Sequence, residues 1–117
     1  MSRDKIEPLL ANLLDSIAEL EGVIATNLDG EVIVGQNITE IDLGAVGKSI
    51  ADLIKAGHVL GQNCGKGEGS DLQFTFKEGF AQAVWNERIV LIALTGSDGR
   101  NSLGLILRSL RTLLTQI

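Results

Sequence analysis

Between residues 71 and 94 the chain breaks into three short apolar runs parted by two polar reversals, and the runs differ in pattern. Leu72, Phe74 and Phe76 alternate with Gln73, Thr75 and Lys77. That period of two predicts a strand with one face on a core and the other toward water. Glu78-Gly79 offers a two-residue turn whose glycine accepts positive φ, and Asn86-Glu87 a second reversal. The run Ile89 to Leu94 does not alternate, so its strand is expected at the centre of an antiparallel meander, covered on both faces. Such a strand needs helices above and below it.

The chain supplies three. Ile6, Leu9, Leu10, Leu13, Leu14, Ile17 and Leu20 recur at helical spacing, which predicts a first helix ended by Glu21-Gly22. Asp4 with Glu7 resembles a capping box, and Pro8 belongs in or near the first turn. Val23 to Thr26 then pairs with Val32 to Gly35 through the turn Leu28-Asp29-Gly30-Glu31, where Asp-Gly is a strong hairpin signal. Thr39 with Asp42 gives a second cap pattern, and Leu43, Val46, Ile50, Leu53, Ile54 and Leu60 trace a second helix to about Gly61. Residues 61–70 read as a flexible connection and residues 95–100 as a turn-rich loop, before Leu103, Ile106, Leu107, Leu110, Leu113, Leu114 and Ile117 mark a third helix.

The second helix is unusual in holding Gly44, Gly47, Gly57 and Gly61, because each interior glycine costs about 1 kcal/mol of helix propensity. Two readings account for them: a second helix approaches closely there, or the glycines relieve crowding against the sheet.

The order α-β-β-α-β-β-β-α gives an α/β (α+β) domain: a three-layer α/β/α sandwich whose five-stranded antiparallel sheet carries one helix on one face and two on the other. The strand from Leu72 is expected at the edge. A long alternating edge strand without proline or a bulge invites pairing. Self-pairing across a two-fold axis would satisfy it and bring the two glycine-rich helices together, so a homodimer is expected. Its interface would use Leu72, Gln73, Phe74, Thr75 and Phe76 of the strand with Gly47, Ala51 and Ile54 of the helix.

Composition narrows the function. A chain of 117 residues fits a single domain over residues 1–117. The net charge of −5, without a basic cluster, gives counterion release little to work with, so no nucleic-acid partner is expected. Cys64 is alone, which excludes an internal disulfide or a multi-cysteine zinc site and fits a reducing compartment. No stretch approaches the roughly 18 apolar residues of a membrane span and the N-terminus lacks a signal-peptide core, so a cytoplasmic protein with no membrane insertion is expected.

Catalytic patterns are missing. Lys66 lies in a glycine-rich stretch, but Gly61 and Gly65 are three residues apart, Gly67 follows the lysine, and the order is helix-loop-strand, so a phosphate loop is not formed. His58 has no acidic or cysteine partner at ligand spacing, Cys64 has no other histidine to activate it, and no two carboxylates stand out as an acid/base pair. Trp85 belongs to packing. The expectation is a binding module with no catalytic, metal or cofactor residues. An enzyme or ligand sensor would need a closed polar pocket, which the sequence does not display.

The opening LLANLLDSIAELEGVIATNLDGEVIV, the small-residue helix from Leu43 to Gly61, the meander, and the closing SDGRNSLGLILRSLRTLL with Leu103-Gly104-Leu105 and Arg108 resemble the Roadblock family, which includes dynein light chains and regulators of Ras-like small GTPases. The likeness spans nearly the whole chain and is structural, hence specific for fold and weak for function. It implies dimers joined by their third strands into one sheet, and a Ras-like GTPase docked on a surface that includes the second helix. Lys48, Asp52, Lys55 and His58 are then the candidate partner-binding residues. For the gliding-motility type the resemblance implies activation without an inserted arginine finger, and Arg88 and Arg100 sit at turns. The alternative is a structural light-chain-like subunit of a motor or signalling complex with no GTPase contact.

Overall fold

The computed structural model describes residues 3–117. Its elements are α1 (Arg3–Ser16), β1 (Leu20–Thr26), β2 (Val32–Asn37), α2 (Leu43–Asn63), β3 (Asp71–Phe76), β4 (Gly79–Trp85), β5 (Val90–Gly96), a 3-10 helix (Ser97–Ser102) and α3 (Leu103–Gln116). The strands form one antiparallel sheet in the order β2-β1-β5-β4-β3. The unbroken apolar run therefore lies in the middle strand, and the alternating run lies at an edge.

Side-chain alternation divides the core. Val23, Ala25, Leu91 and Ala93 face α1 and α3, where Ile6, Leu10, Ile106 and Leu110 are fully buried. Ile24, Val90, Ile92 and Ala83 face α2, packing on Ile50 and Ile54. One helix thus covers one face and two cover the other. Each fully buried Leu or Ile adds about 1.5–3 kcal/mol from removal of apolar surface from water. Among the described residues no helix is long and apolar enough to cross a membrane.

Several boundaries differ from the sequence reading. The first helix stops at Ser16: the Leu20 amide donates to the Ile17 carbonyl (3.2 Å), and Leu20 already pairs with Thr95 on β5. Ile17 and Leu20 are buried as the spacing required, but from a turn and a strand. Asp4 lies inside the first turn instead of capping it, and Pro8 falls in the second turn, where its ring costs the bond to the Asp4 carbonyl. The second helix is capped by Asp42, whose Oδ1 accepts from the Ala45 amide (3.1 Å); Thr39 instead accepts from Asn37 through its Oγ1 (3.1 Å).

Asn27 organises the first hairpin. Its Oδ1 accepts from the amides of Asp29 (2.9 Å) and Glu31 (3.0 Å), and Gly30 takes φ +87°. In the second hairpin the turn residues are Lys77-Glu78, and Gly79 opens β4 opposite Phe76 with φ +155°. A β-carbon at Gly79 would run into the Thr95 carbonyl, which explains a glycine one place later than a simple turn requires. The third reversal spans residues 86–89, with Asn86 Oδ1 accepting from the amides of Arg88 and Ile89 (both 2.9 Å).

Candidate interaction surface

β3 pairs with β4 along its whole length and has nothing on its other side among the described residues. Every second residue of an edge strand turns its amide and carbonyl outward, so β3 presents an unfilled ladder. Leu72, Phe74 and Phe76 point to the α2 side, opposite Ala83, Ala81 and Gly79. Leu72 reaches the cluster under α2, but Phe74 and Phe76 do not: they are 45% and 52% exposed. Their rings stack at 4.7 Å with an interplanar angle of 18°. The core face expected for this strand is therefore apolar yet uncovered, because α2 does not extend over it.

On the other face Gln73 meets Gln82, whose Nε2 donates to Gln73 Oε1 (3.2 Å) and to the Leu103 carbonyl (2.9 Å). Gln82 is buried inside an otherwise apolar strand and ties β3, β4 and the start of α3 together. The lone polar letter in Phe80-Ala-Gln-Ala-Val84 was the available signal. Asp71 and Arg111 form an ion pair at the same rim.

α2 resolves the question of its glycines. Gly47 is buried against the β1–β2 hairpin, where a β-carbon would collide with the Gly30 carbonyl. Gly61 receives the returning backbone at Gly67, and Gly57 meets nothing within 4 Å. Ala51 and Ile54 are buried beneath the helix. Gly47, Ala51 and Ile54, expected at an interface between two copies, are thus consumed by packing within the protomer. The exposed apolar residues of the helix are Leu53, Val59 and Leu60. At 100° per residue Leu53, Gly57 and Leu60 share one flank, whereas Lys48, Asp52 and Lys55 share the opposite flank with Val59. Lys48, Asp52 and Lys55 are exposed. His58 is half-buried: its Nδ1 accepts from the Gly69 amide (3.2 Å), and its ring stands edge-on to Trp85 at 6.1 Å.

A cavity of about 710 Å³ opens between the second half of α2, the 86–89 turn and the loop before β3. Its apolar wall is Ala51, Ile54, Val90 and Trp85, and its lip carries Lys55, Glu68 and Glu87. This pocket draws residues from four separate stretches, so sequence spacing gave no sign of it. Cys64 is exposed at the end of α2, with its sulfur 3.7 Å from the Gly61 carbonyl, and is not brought to His58, whose Nδ1 is occupied. Lys66 is exposed in the following turn. Arg100 lies over the Phe80 ring at 5.2 Å, and Arg88 is exposed in the 86–89 turn.

No protein-family model and no curated protein sequence matches the chain. Solved structures do. The chain superposes on Myxococcus xanthus MglB with a TM-score of 0.83 and 20% identity, over 97% of this chain and 84% of that one. On the gliding protein MglB of Thermus thermophilus the values are 0.82, 10%, 98% and 92%. On a Roadblock/LC7 domain from Streptomyces avermitilis they are 0.84, 13%, 96% and 93%. At these identities the likeness is one of fold, and the fold is that of Roadblock/LC7 domains.

Proposed function

We propose that this chain, a Roadblock/LC7-type domain by fold, is a non-catalytic homodimeric module that regulates or scaffolds a Ras-like small GTPase in the cytoplasm. The observation that carries the dimer is the bare β3 edge with its stacked, exposed Phe74 and Phe76. A twin β3 would fill the ladder and continue the sheet, and the apolar flank Leu53, Gly57, Leu60 stands on the same side of it, ready to meet the symmetry-related surface. The interface is accordingly assigned to Leu72, Gln73, Phe74, Thr75 and Phe76 with that flank.

The GTPase reading is supported by the fold likeness to two gliding-motility MglB proteins over nearly the whole chain, together with the resemblance of the sequence to Roadblock regulators. The opposite flank of α2, with Lys48, Asp52 and Lys55, gives a charged surface that self-pairing through β3 leaves free. Regulation of this kind positions the GTPase's own catalytic groups, and no residue of this chain is assigned to chemistry.

The test is to mix the purified protein with a Ras-like GTPase from the same genome, loaded with GDP or with a non-hydrolysable GTP analogue. Binding is followed by calorimetry and turnover by phosphate release. Binding that favours one nucleotide state is expected, and Lys48→Glu with Lys55→Glu should weaken it. Absence of binding in every nucleotide state would overturn the GTPase reading. Recovery of a motor or signalling protein without a GTPase from native lysate would support the structural-subunit alternative instead.

A further inference from the structure

The cavity beside α2 has its own chemistry, separate from the open sheet edge. At about 710 Å³ it falls in the size range of small-ligand pockets, which are mainly apolar with a few converging polar groups. Its floor is apolar, formed by the buried residues Ala51, Ile54 and Val90. One wall is Trp85, which is half-buried. Glu68, on the loop before β3, and Glu87, in the 86–89 turn, stand at the lip, and neither is held in an ion pair among the described residues. Facing them is one cation, Lys55. His58 Nδ1 is taken up by the Gly69 amide (3.2 Å) and is not offered to a ligand.

We propose that this cavity binds an organic cation: an ammonium or guanidinium group carried on an apolar stem. The stem lies against the apolar floor of Ala51, Ile54 and Val90. The charged head stays at the mouth, between the Trp85 face, which attracts cations through its ring quadrupole, and the Glu68 and Glu87 carboxylates. An anion of the same shape meets two carboxylates against a single ammonium and is disfavoured. A neutral analogue keeps the apolar contact and loses the charge. The same chemistry is offered by a free amine and by the lysine or arginine side chain of another protein.

Trp85 is the only tryptophan, so its emission reports on the cavity directly. The full-length protein is titrated with n-butylammonium chloride, with Nα-acetyl-lysine methylamide, and with n-butanol and sodium butyrate as neutral and anionic counterparts, at matched ionic strength. Saturable emission changes with the cations are expected, weakened at least about tenfold in a Glu68→Gln/Glu87→Gln variant. Both positions are exposed, so the variant should keep the wild-type circular dichroism and particle size. Preference for butylammonium assigns the site to free amines, and equal or better response to the capped lysine assigns it to a protein side chain. No saturable change with either cation up to about 0.1 M, an equal response to butanol or butyrate, or full retention in the double variant overturns the proposal. Emission at Trp85 is read without any GTPase present, so this outcome is independent of the GTPase test.

Discussion

The two faces of the sheet solve the same problem to different degrees. On one, α1 and α3 lie side by side and bury Ile6, Leu10, Ile106 and Leu110 completely. On the other, α2 alone covers β1, β5 and part of β4, and Phe74 and Phe76 are left in the open. Both faces are apolar by pattern, so the difference lies in how much helix is available to cover them. The first face is covered completely within the protomer, and the second leaves part of its apolar surface exposed.

That contrast can be broken most directly by truncation on each side. Ile106→Ala should lower unfolding free energy by about 2–5 kcal/mol in urea titrations, through lost burial and a residual cavity. Phe76→Ser, measured at protein concentrations where only protomer is present, should change it by no more than about 0.5 kcal/mol. Equal losses at the two sites would abolish the distinction between the faces.

The next test separates two glycines of one helix. Gly47→Ala drives a methyl group into the Gly30 carbonyl and is expected to cost about 1–3 kcal/mol, whereas Gly57→Ala meets open space and should raise protomer stability by up to about 1 kcal/mol. Thermal unfolding of the pair decides it. A Gly47→Ala variant as stable as wild type would show that the hairpin does not bear on α2.

At the sheet edge, Thr75→Pro removes a ladder donor and should raise the dimer dissociation constant by at least about tenfold, equivalent to about 1.4 kcal/mol. Light scattering that finds the dimer intact would refute pairing through β3. The smallest effect is expected at the exposed ion pair between Asp71 and Arg111, where Arg111→Met should cost about 0.2–1 kcal/mol and less at high salt. A larger loss would mean that this rim is structurally more important than its exposure indicates.

Much of this architecture is legible in the letters alone. An unbroken apolar run can only be accommodated between two layers, so Ile89 to Leu94 announced the middle of the sheet. Asp29-Gly30 announced a turn that needs positive φ. Periodicity tells which way a side chain points, however, and not whether anything lies over it. Phe74 and Phe76 point to the helical side as the alternation implied and are still exposed. For the same reason Ile17 and Leu20 kept the spacing of α1 after the helix had ended. The surroundings of the α2 glycines were not legible either, since contact with Gly30 or with empty space is decided by distant backbone. Of the candidate site residues, Lys48, Asp52 and Lys55 were found exposed on one flank, whereas His58 is engaged by Gly69 and Trp85. The cavity was illegible, because Lys55, Glu68 and Glu87 meet only after two chain reversals.

The meeting of Gly30 and Gly47 has a mechanical consequence. With no side chain on either partner, the hairpin tip and the first turns of α2 are riveted main chain to main chain, leaving no rotamer through which the joint could slacken. That same helix walls the cavity with Ala51, Ile54 and Lys55 and carries the exposed Leu53 on its other flank. A single added methyl at that contact would press helix and hairpin apart, at the one place where their main chains meet without side chains between them.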